Sequence, residues 1–332
     1  MLRRTFLAAS AFAAAGAVTS CARRAAKLPL AKLRVSAGNH LSMCPFYMAF
    51  ESGYFAQAGF DIEVVRDIGQ PQSIPLIAGG QLDAGFTGFG PAVINAVIRG
   101  ARLRLVAARE VMSPSCGAAG VIFGSRKAFP EGIRGMRQLK GARIGINAAT
   151  PQSSFWLDML LRREGMRPDD VVVRKMHDSE RIAAIRAGGL EAIINSEADA
   201  GPALEALGLV RGPGAAGLAP GFQYSFITFG RNLLDADVAT GARFLHAYFR
   251  GSADFLAGKT PRFLDDFASR NKIDANLLRR ACRTTFERDG TIHPDDLRRY
   301  MEWMAAHDLC PANVDAATLI DTRFLEAARR MT

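Results

Sequence analysis

The sequence predicts an α/β protein of two lobes, in which each lobe is a sheet flanked by helices. Short β-rich runs alternate with short helical segments from residue 33 to residue 108, and a second alternation of this kind begins near residue 121. Such alternation is typical of mainly parallel sheets covered on both faces, whose ligands bind at the carboxyl ends of the strands. With 332 residues, 49% of them hydrophobic, the chain is long enough for about two domains.

Proline and glycine set the bounds of the first alternation. Pro45 has no N–H to lose at a helix start, and Gly53, Gly79 and Gly100 are typical helix ends. The predicted elements are strand 33–37, a helix opened by Pro45 and ended by Gly53, strand 61–65, helix 72–78, strand 84–87, helix 91–99 and strand 103–108.

The second alternation leads into a helical remainder that we expect to return to the first lobe. Its predicted elements are strand 121–123, a strand ending near residue 146, helix 155–161, strand 171–174, helix 179–187, strand 192–194, helix 203–207, strand 221–229 and helices 235–256, 261–270, 276–286 and 295–306. We expect residues 28–122 and 224–332 to form lobe 1 and residues 123–223 to form lobe 2.

The first 20 residues predict an export signal. Arg3 and Arg4 precede an Ala-rich apolar run that is too short to span a membrane, and small residues stand directly before Cys21. Arg3-Arg4 resembles a twin-arginine motif, and residues 18–21 resemble a lipobox whose cysteine is acylated. An ordinary secretory peptide cut after Ala or Ser is the alternative. We expect a periplasmic protein, or one outside the cytoplasmic membrane, lipid-anchored at Cys21.

The charge pattern argues against nucleic acid as a partner. The formal net charge is +10, but basic residues are scattered beside acidic ones and form no stripe interleaved with aromatic residues. After Cys21 the cysteines are Cys44, Cys116, Cys282 and Cys310. In an exported protein these can form disulfides, and Cys282 with Cys310 is the expected pair.

Five segments carry a family resemblance: residues 45–65, Gly80-Gln-Leu-Asp-Ala-Gly85, residues 100–106, residues 135–146, with Gln138 where the family usually has Asp, and residues 297–325. In order and spacing they resemble the nitrate/sulfonate/taurine-type substrate-binding proteins of bacterial ABC importers, a family that includes binders of thiamine-pyrimidine precursors. The resemblance implies the two-lobed periplasmic-binding-protein fold (type II) with a cleft between the lobes. It also implies a monomer that holds a small-molecule ligand and delivers it to an ABC permease with its ATPase.

Loops at the expected cleft supply the candidate ligand contacts. These residues are His40, Ser42, Phe46, Thr87, Gly88, Phe89, Cys116, Gln152, Ser153, Ser154, Asn195, Ser196, Asp199 and Tyr224. His40 either hydrogen-bonds or charge-pairs a ligand, or is a local capping residue. Cys116 either lines the cleft or is a buried structural thiol. Residues 85–90 are glycine-rich but match no phosphate-binding loop.

Thr150-Pro151 predicts a helix start whose free N–H groups at Gln152, Ser153 and Ser154 point toward the cleft. Such a start favours an anion by about 0.3–1 kcal/mol, and the resemblance places the second-lobe ligand contact there. However, Ala148-Ala149 replaces the glycine of many relatives.

Glu197 and Asp199 oppose an anion, or are merely the acidic first turn of a helix. The tryptophan or Glu-Pro pair that relatives often place there is missing. Tyr224 is the expected stacking residue. Because the loops assigned to the cleft contain neither Lys nor Arg, we expect an organic ligand whose aromatic or apolar body lies against Phe46, Phe89 and Tyr224, with one polar or weakly anionic end at residues 152–154.

Enzyme signatures and metal-ligand spacings are absent from the sequence, so we expect no catalytic residues, no metal and no cofactor. Two alternatives remain open. One is an enzyme like the pyrimidine synthases of this fold, although their cysteine-rich iron-binding run is missing here. The other is a ligand-reporting partner of a membrane sensor.

Overall fold

The computed structural model describes residues 30–66, 68–113, 116, 120–148, 151–281 and 284–331. The expected signal segment and Cys21 lie outside these residues. No helix in the described part of the chain is long and apolar enough to cross a membrane.

Twelve strands are described: β1 (Ala31–Ser36), β2 (Phe60–Val65), β3 (Ala84–Gly88), β4 (Leu103–Ala108), β5 (Glu110–Val111), β6 (Val121–Ser125), β7 (Arg143–Asn147), β8 (Val172–Met176), β9 (Ala192–Asn195), β10 (Leu209–Gly214), β11 (Ser225–Gly230) and β12 (Thr285–Phe286). The described α-helices are α1 (Cys44–Glu51), α2 (Tyr54–Gln57), α3 (Gln70–Ala78), α4 (Pro91–Ile98), α5 (Gln152–Arg163), α6 (Asp178–Arg186), α7 (Glu197–Ala206), α8 (Arg231–Leu234), α9 (Val238–Leu256), α10 (Arg262–Asn271), α11 (Ala275–Arg280), α12 (Pro294–Ala305) and α13 (Arg323–Ala328).

The lobe 1 sheet has the order β2-β1-β3-β11-β4. β1 is parallel to β2 and β3, whereas β11 returns antiparallel between β3 and β4. Every residue of β11 is buried, as expected for a central strand covered on both faces. The long helix α9 packs against α1, and Gly251 permits the close approach, since a Cβ there would lie 2.6 Å from the carbonyl oxygen of Pro45.

The lobe 2 sheet has the order β10-β6-β9-β7-β8. β7 is parallel to β8 and β9, and β6 is antiparallel to β9 and β10. The expected lobe boundary after residue 122 falls inside β6, which pairs only within this sheet. β10 was not predicted, because its sequence Leu-Val-Arg-Gly-Pro-Gly is poor in β-formers; an edge strand tolerates proline and glycine.

A short ladder lies where the chain passes between the lobes. β5 pairs with β12, and Gln223 forms a bridge to Val111. The predicted helix 276–286 ends at Arg280 instead, and Thr285 and Phe286 form a strand because they pair with β5, a conformation that β-branched Thr285 tolerates well. Likewise, the predicted strand 221–229 is regular only from Ser225 onward.

The expected disulfide between Cys282 and Cys310 is also wrong. Cys310 is a thiol, as is Cys44, whereas Cys116 is disulfide-bonded. The thiol of Cys310 instead donates a hydrogen bond to the carbonyl oxygen of Met301 in α12, at 3.7 Å. Cysteines on successive helices form a disulfide only when their sulfur atoms are close together and point toward each other, and sequence proximity of the helices does not ensure this.

Candidate functional site

Arg109, which follows β4 directly, organises the carboxyl edge of the lobe 1 sheet. Its side chain is 2% exposed. The guanidinium donates to the carbonyl oxygen of Ser42 at 2.6 Å and to the hydroxyl of Ser225 at 2.8 Å, and it forms an ion pair with Glu110. It also lies over the ring of Phe86, 5.6 Å from the centroid. These contacts join the loops that follow β1 and β4 to the first residue of β11.

The charge of Arg109 is balanced within the protein. Glu110 is almost fully buried beside it, and a buried charge is tolerated only when it is paired and hydrogen-bonded. Sequence reasoning gave this residue no role, because the cleft loop expected after the strand 103–108 runs from residue 112 to residue 117. The signal was an arginine placed immediately after a wholly apolar strand end, at the sheet edge where ligands bind.

His40 adds a neutral imidazole to this edge. Its Nδ1 is 2.6 Å from the hydroxyl of Ser42. Burial lowers the pKa of His40 from its usual 6.5 to about 4; Glu110 opposes this shift and Arg109 adds to it. His40 stands before the 3-10 helix Leu41–Met43, but its side chain makes no capping hydrogen bond to it. At neutral pH His40 can therefore exchange hydrogen bonds with a ligand but cannot supply a positive charge.

The other lobe 1 candidates differ in what they can offer. Phe46 is buried in the lobe core, with its ring 5.0 Å from that of Phe86. The hydroxyl of Thr87 is 2.6 Å from that of Thr228 on β11, and Gly88 ends β3. The ring of buried Phe89 lies 6.1 Å from that of Tyr300 in α12, and Tyr300 in turn lies 4.7 Å from Phe155 of lobe 2. Phe46 and Thr87 thus support the site from within lobe 1.

On lobe 2 the start of α5 adjoins the lobe 1 loop that follows β3. Thr150 lies outside the described residues, and Pro151 is the N-cap residue, without a side-chain cap. A Cβ added at Gly90 would lie 4.0 Å from Cδ of Pro151, so the two loops are neighbours. We call the place where these loops of the two lobes meet the interlobe junction. Gln152 and Ser153 are half-buried at this junction. The enclosed Nε2 of Gln152 has no hydrogen-bond partner among the described residues.

Trp156 lies one turn beyond Gln152 on the same face of α5, and the sequence analysis missed it. Its side chain is 1% exposed, and within the described chain its indole N–H has no acceptor. Its ring lies 5.4 Å from that of Phe222 and 6.1 Å from that of Tyr224. Gly120, with φ of +70°, leaves the space, because a Cβ there would lie 2.6 Å from Cβ of Trp156. The sequence signal for Trp156 was its i, i+4 spacing from Gln152, which places the two side chains on the same face of a helix.

Aromatic rings continue from Trp156 into lobe 1. We call the set the aromatic seam; its members are Phe89, Phe155, Trp156, Phe222, Tyr224 and Tyr300. Within it, the carbonyl oxygen of Tyr224 accepts the N–H of Phe89 at 3.0 Å. The seam therefore contacts the facing edges of both lobes.

The loop after β9 brings a second part of lobe 2 toward His40. Oδ1 of Asn195 accepts the N–H of Ser196 at 2.9 Å, and α7, which follows, lies against the 3-10 helix Leu41–Met43. Asp199 belongs to α7; its side chain is outside the described set. Buried Arg181 donates to the carbonyl oxygen of Ile194 at 2.5 Å near the same strand end.

Two remaining candidates lie elsewhere. Ser154 lines a cavity between α5 and α12 together with Trp303. Cys116 is buried and disulfide-bonded, so it does not present a thiol to a ligand. Among the described residues, no cluster of His, Cys, Asp or Glu could hold a metal ion.

Comparison with known proteins places the chain in a family. The model of the family described as NMT1/THI5 like matches residues 40–211, which is more than half of the chain. No curated protein matches.

Solved structures show the same fold at low sequence identity. The periplasmic aliphatic sulphonate binding protein SsuA from Escherichia coli is 18% identical, with a TM-score of 0.71 over 87% of this chain and 97% of that one. The periplasmic nitrate-binding protein NrtA from Synechocystis PCC 6803 is 12% identical, with a TM-score of 0.68 over 91% and 89%. A cysteine-to-serine mutant of DSZB in complex with biphenyl-2-sulfinic acid is 14% identical, with a TM-score of 0.64 over 91% and 100%.

These matches confirm the α/β fold of two helix-flanked sheets and the resemblance to sulfonate- and nitrate-type binding proteins. On the strength of the match over residues 40–211, the chain belongs to the NMT1/THI5-like family and has the periplasmic-binding-protein fold.

Proposed function

We propose that this protein is the solute-binding component of an ABC importer, which captures a small organic ligand between its lobes and delivers it to a membrane permease with its ATPase. The observation that carries the proposal is the meeting of polar and aromatic groups from both lobes at their facing sheet edges. Gly90 adjoins Pro151, and α7 lies against the 3-10 helix Leu41–Met43. The family and fold are consistent with this role.

The donors at this junction support a ligand with hydrogen-bond acceptors. Nε2 of Gln152 and Nε1 of Trp156 are enclosed donors on one face of α5, with no partner among the described residues. A buried donor left unsatisfied costs about 1–3 kcal/mol, so an acceptor on a ligand would gain that amount by pairing. Asn195 and Ser196 would approach the ligand from the neighbouring loop.

The charges at the junction favour a neutral or weakly anionic ligand. Arg109 is neutralised by Glu110, and His40 is uncharged at neutral pH. At the lobe 1 edge a compact anion would exchange its hydration shell for N–H and hydroxyl donors without the net positive charge that Arg109 would supply if it were unpaired. The rings of Phe89, Trp156 and Tyr224 are buried where the lobes meet, and opening of the lobes would expose them for an aromatic or apolar body to stack on.

Ligand contact with both lobes would drive closure. A ligand that binds the closed arrangement more tightly shifts the population toward it, and the closed form is the one a permease would recognise. We further propose export, an anchor at Cys21, a location in the periplasm or outside the cytoplasmic membrane, a monomeric state and no role for nucleic acid.

A thermal-shift screen of sulfonates, nitrate, carboxylates and pyrimidine precursors tests the proposal. A ligand at a hundredfold excess over its Kd stabilises the folded state by about 2.7 kcal/mol. We expect stabilisation by an organic member of the set and its loss in Trp156→Phe, which keeps an aromatic ring but lacks the indole N–H donor. A stabilising ligand that Trp156→Phe and Gln152→Ala bind as tightly as the wild type would place binding elsewhere. A permease and ATPase encoded beside the gene would favour import, and a sensor kinase would favour signalling.

A further inference from the structure

A cavity separate from Gln152 and Trp156 lies between lobe 2 and the C-terminal helix α12. Its volume is about 220 Å³. Lobe 2 supplies Leu157 and Leu161 from α5 and Val173 from β8, and the C-terminal segment supplies Trp303 and Leu309. The two walls therefore come from parts of the chain more than a hundred residues apart.

One wall of the cavity is held by the buried carboxylate of Asp158, which already accepts hydrogen bonds from two side chains. Asp158 accepts the indole N–H of Trp303 at 2.9 Å and the Nε of Arg162 at 2.8 Å. The indole thereby lies 5.4 Å from the ring of Phe155, in an edge-to-face arrangement, and 4.2 Å from the ring of His307. Because Asp158 is paired with Arg162, it contributes no net negative charge to the cavity.

Lys175 gives the cavity a positive rim. It is exposed on β8, lines the cavity, and forms no ion pair within the described part of the chain. β8 is the edge strand of its sheet, so this side of the cavity is not covered by another strand. The neighbouring Arg174 does not line this cavity, as expected from the alternation of side chains along a strand.

We propose that this cavity is a second small-molecule site, for an organic anion with a compact aromatic or aliphatic body. An apolar cavity of about 150 Å³ holds benzene in another protein, so about 220 Å³ accommodates one ring with a carboxylate or sulfonate group. The ring lies among Leu157, Val173 and Trp303, and the acidic group reaches Lys175. Because the occupant contacts both α5 and α12, its binding is linked to the packing of α12 on lobe 2.

The protein has two tryptophans, which allow a site-resolved test with benzoate as the probe. The ¹⁵N-labelled full mature chain has one indole N–H resonance from Trp156 and one from Trp303, assigned with Trp303→Phe. We expect benzoate to shift the Trp303 resonance saturably, with a millimolar Kd, whereas benzylamine leaves it unmoved. Lys175→Gln should weaken benzoate binding about threefold, as for an exposed charge pair, and the matched control Arg174→Gln should not.

Several outcomes would overturn the assignment. These are no shift of the Trp303 resonance at about 10 mM benzoate, an equal response to benzylamine, equal binding by Lys175→Gln and wild type, or movement of the Trp156 resonance alone. The last result would assign benzoate to the interlobe junction. Val173→Phe, which fills the cavity, should abolish the shift; if that variant does not fold, the Lys175 and Arg174 pair still decides the matter.

Discussion

The guanidinium of Arg109 donates a hydrogen bond to the carbonyl oxygen of Ser42 at 2.6 Å, so a side chain from the end of one strand fixes the loop that follows another. The same guanidinium is paired with Glu110, and neither side chain reaches solvent appreciably. The loops at the carboxyl edge of the lobe 1 sheet are therefore held in place by one buried ion pair and its hydrogen bonds.

Breaking this pair should cost much more than breaking a surface pair. In Arg109→Met the carboxylate of Glu110 stays buried without its partner, and we expect the free energy of unfolding to fall by about 3–5 kcal/mol. Arg34→Gln, which removes the exposed pair with Glu63, is the control and should cost under about 1 kcal/mol. Urea titration measures both. Equal losses in the two variants would contradict the role assigned to Arg109.

The stability of the protein should fall as the pH drops from about 6.5 to 4. The folded pKa of His40 is about 4, below the 6.5 of an unperturbed histidine, so in this window the unfolded chain binds a proton that the folded chain does not. Stability therefore rises with pH across the window. We expect His40→Gln to weaken this dependence, by an amount on the order of 2 kcal/mol between the two ends. An unchanged pH dependence in His40→Gln would mean that other groups cause it.

Much of the fold could be predicted because its signals are local. β4 has the predicted ends, Leu103 and Ala108, and α1 begins one residue before Pro45 and ends two residues before Gly53. The failures needed non-local information. β10 exists because β6 offers it an edge, and β12 exists because β5 does; neither partner can be read from the strand itself.

The candidate site was harder to predict, since its chemistry depends on which side chains are already engaged. Phe46 and Phe89 look alike in sequence, yet Phe46 packs inside lobe 1 and Phe89 belongs to the aromatic seam. Arg109 is basic by sequence, but Glu110 neutralises it. Burial and pairing of this kind are set by the assembled lobes.

The cysteines should react according to their bonding. Native alkylation without reductant should label the half-buried Cys310, and peptide mapping should show Cys116 unlabelled until a reductant is added. Cys310→Ser should remove the native label without affecting the disulfide. Labelling of Cys116 in the oxidised protein would contradict its assignment. A disulfide is also what an oxidising compartment permits, which agrees with the proposed export.

Membrane attachment should depend on Cys21. Small residues precede this cysteine, and lipid attachment to it would hold the exported chain at the membrane. Expressed with its signal, Cys21→Ser should move from the membrane fraction to the soluble extract, while Cys310→Ser, a matched loss of a thiol, should stay. Retention of Cys21→Ser in the membrane would rule out this anchor.

Bound ligand should be released chemically unchanged. The junction brings together a neutral His40 and a Ser42 hydroxyl bonded to it, but Arg109 and Glu110 are committed to each other. Because these four groups already bond to one another, we expect none of them to act as base, nucleophile or acid toward a ligand. Mass spectrometry of ligand after prolonged incubation with the purified protein provides the check. A product that forms with the wild type and not with His40→Gln would establish the enzyme alternative.

We expect the aromatic seam, and not a positively charged side chain, to determine which class of ligand binds. The ring centroids of Tyr224 and Trp156 lie 6.1 Å apart in the seam. The charge of Arg109, by contrast, is neutralised by Glu110 and does not attract an anion. Calorimetry should therefore show micromolar binding of an organic ligand, about 8 kcal/mol, with nitrate and sulfate far weaker. Tyr224→Ala removes a stacking surface worth roughly 1 kcal/mol or more, so it should weaken the organic ligand at least about fivefold. Phe46→Leu, a change within the lobe 1 core, is the control and should lower stability without a comparable loss of affinity. Micromolar binding of nitrate or sulfate that Tyr224→Ala leaves unaffected would overturn this assignment.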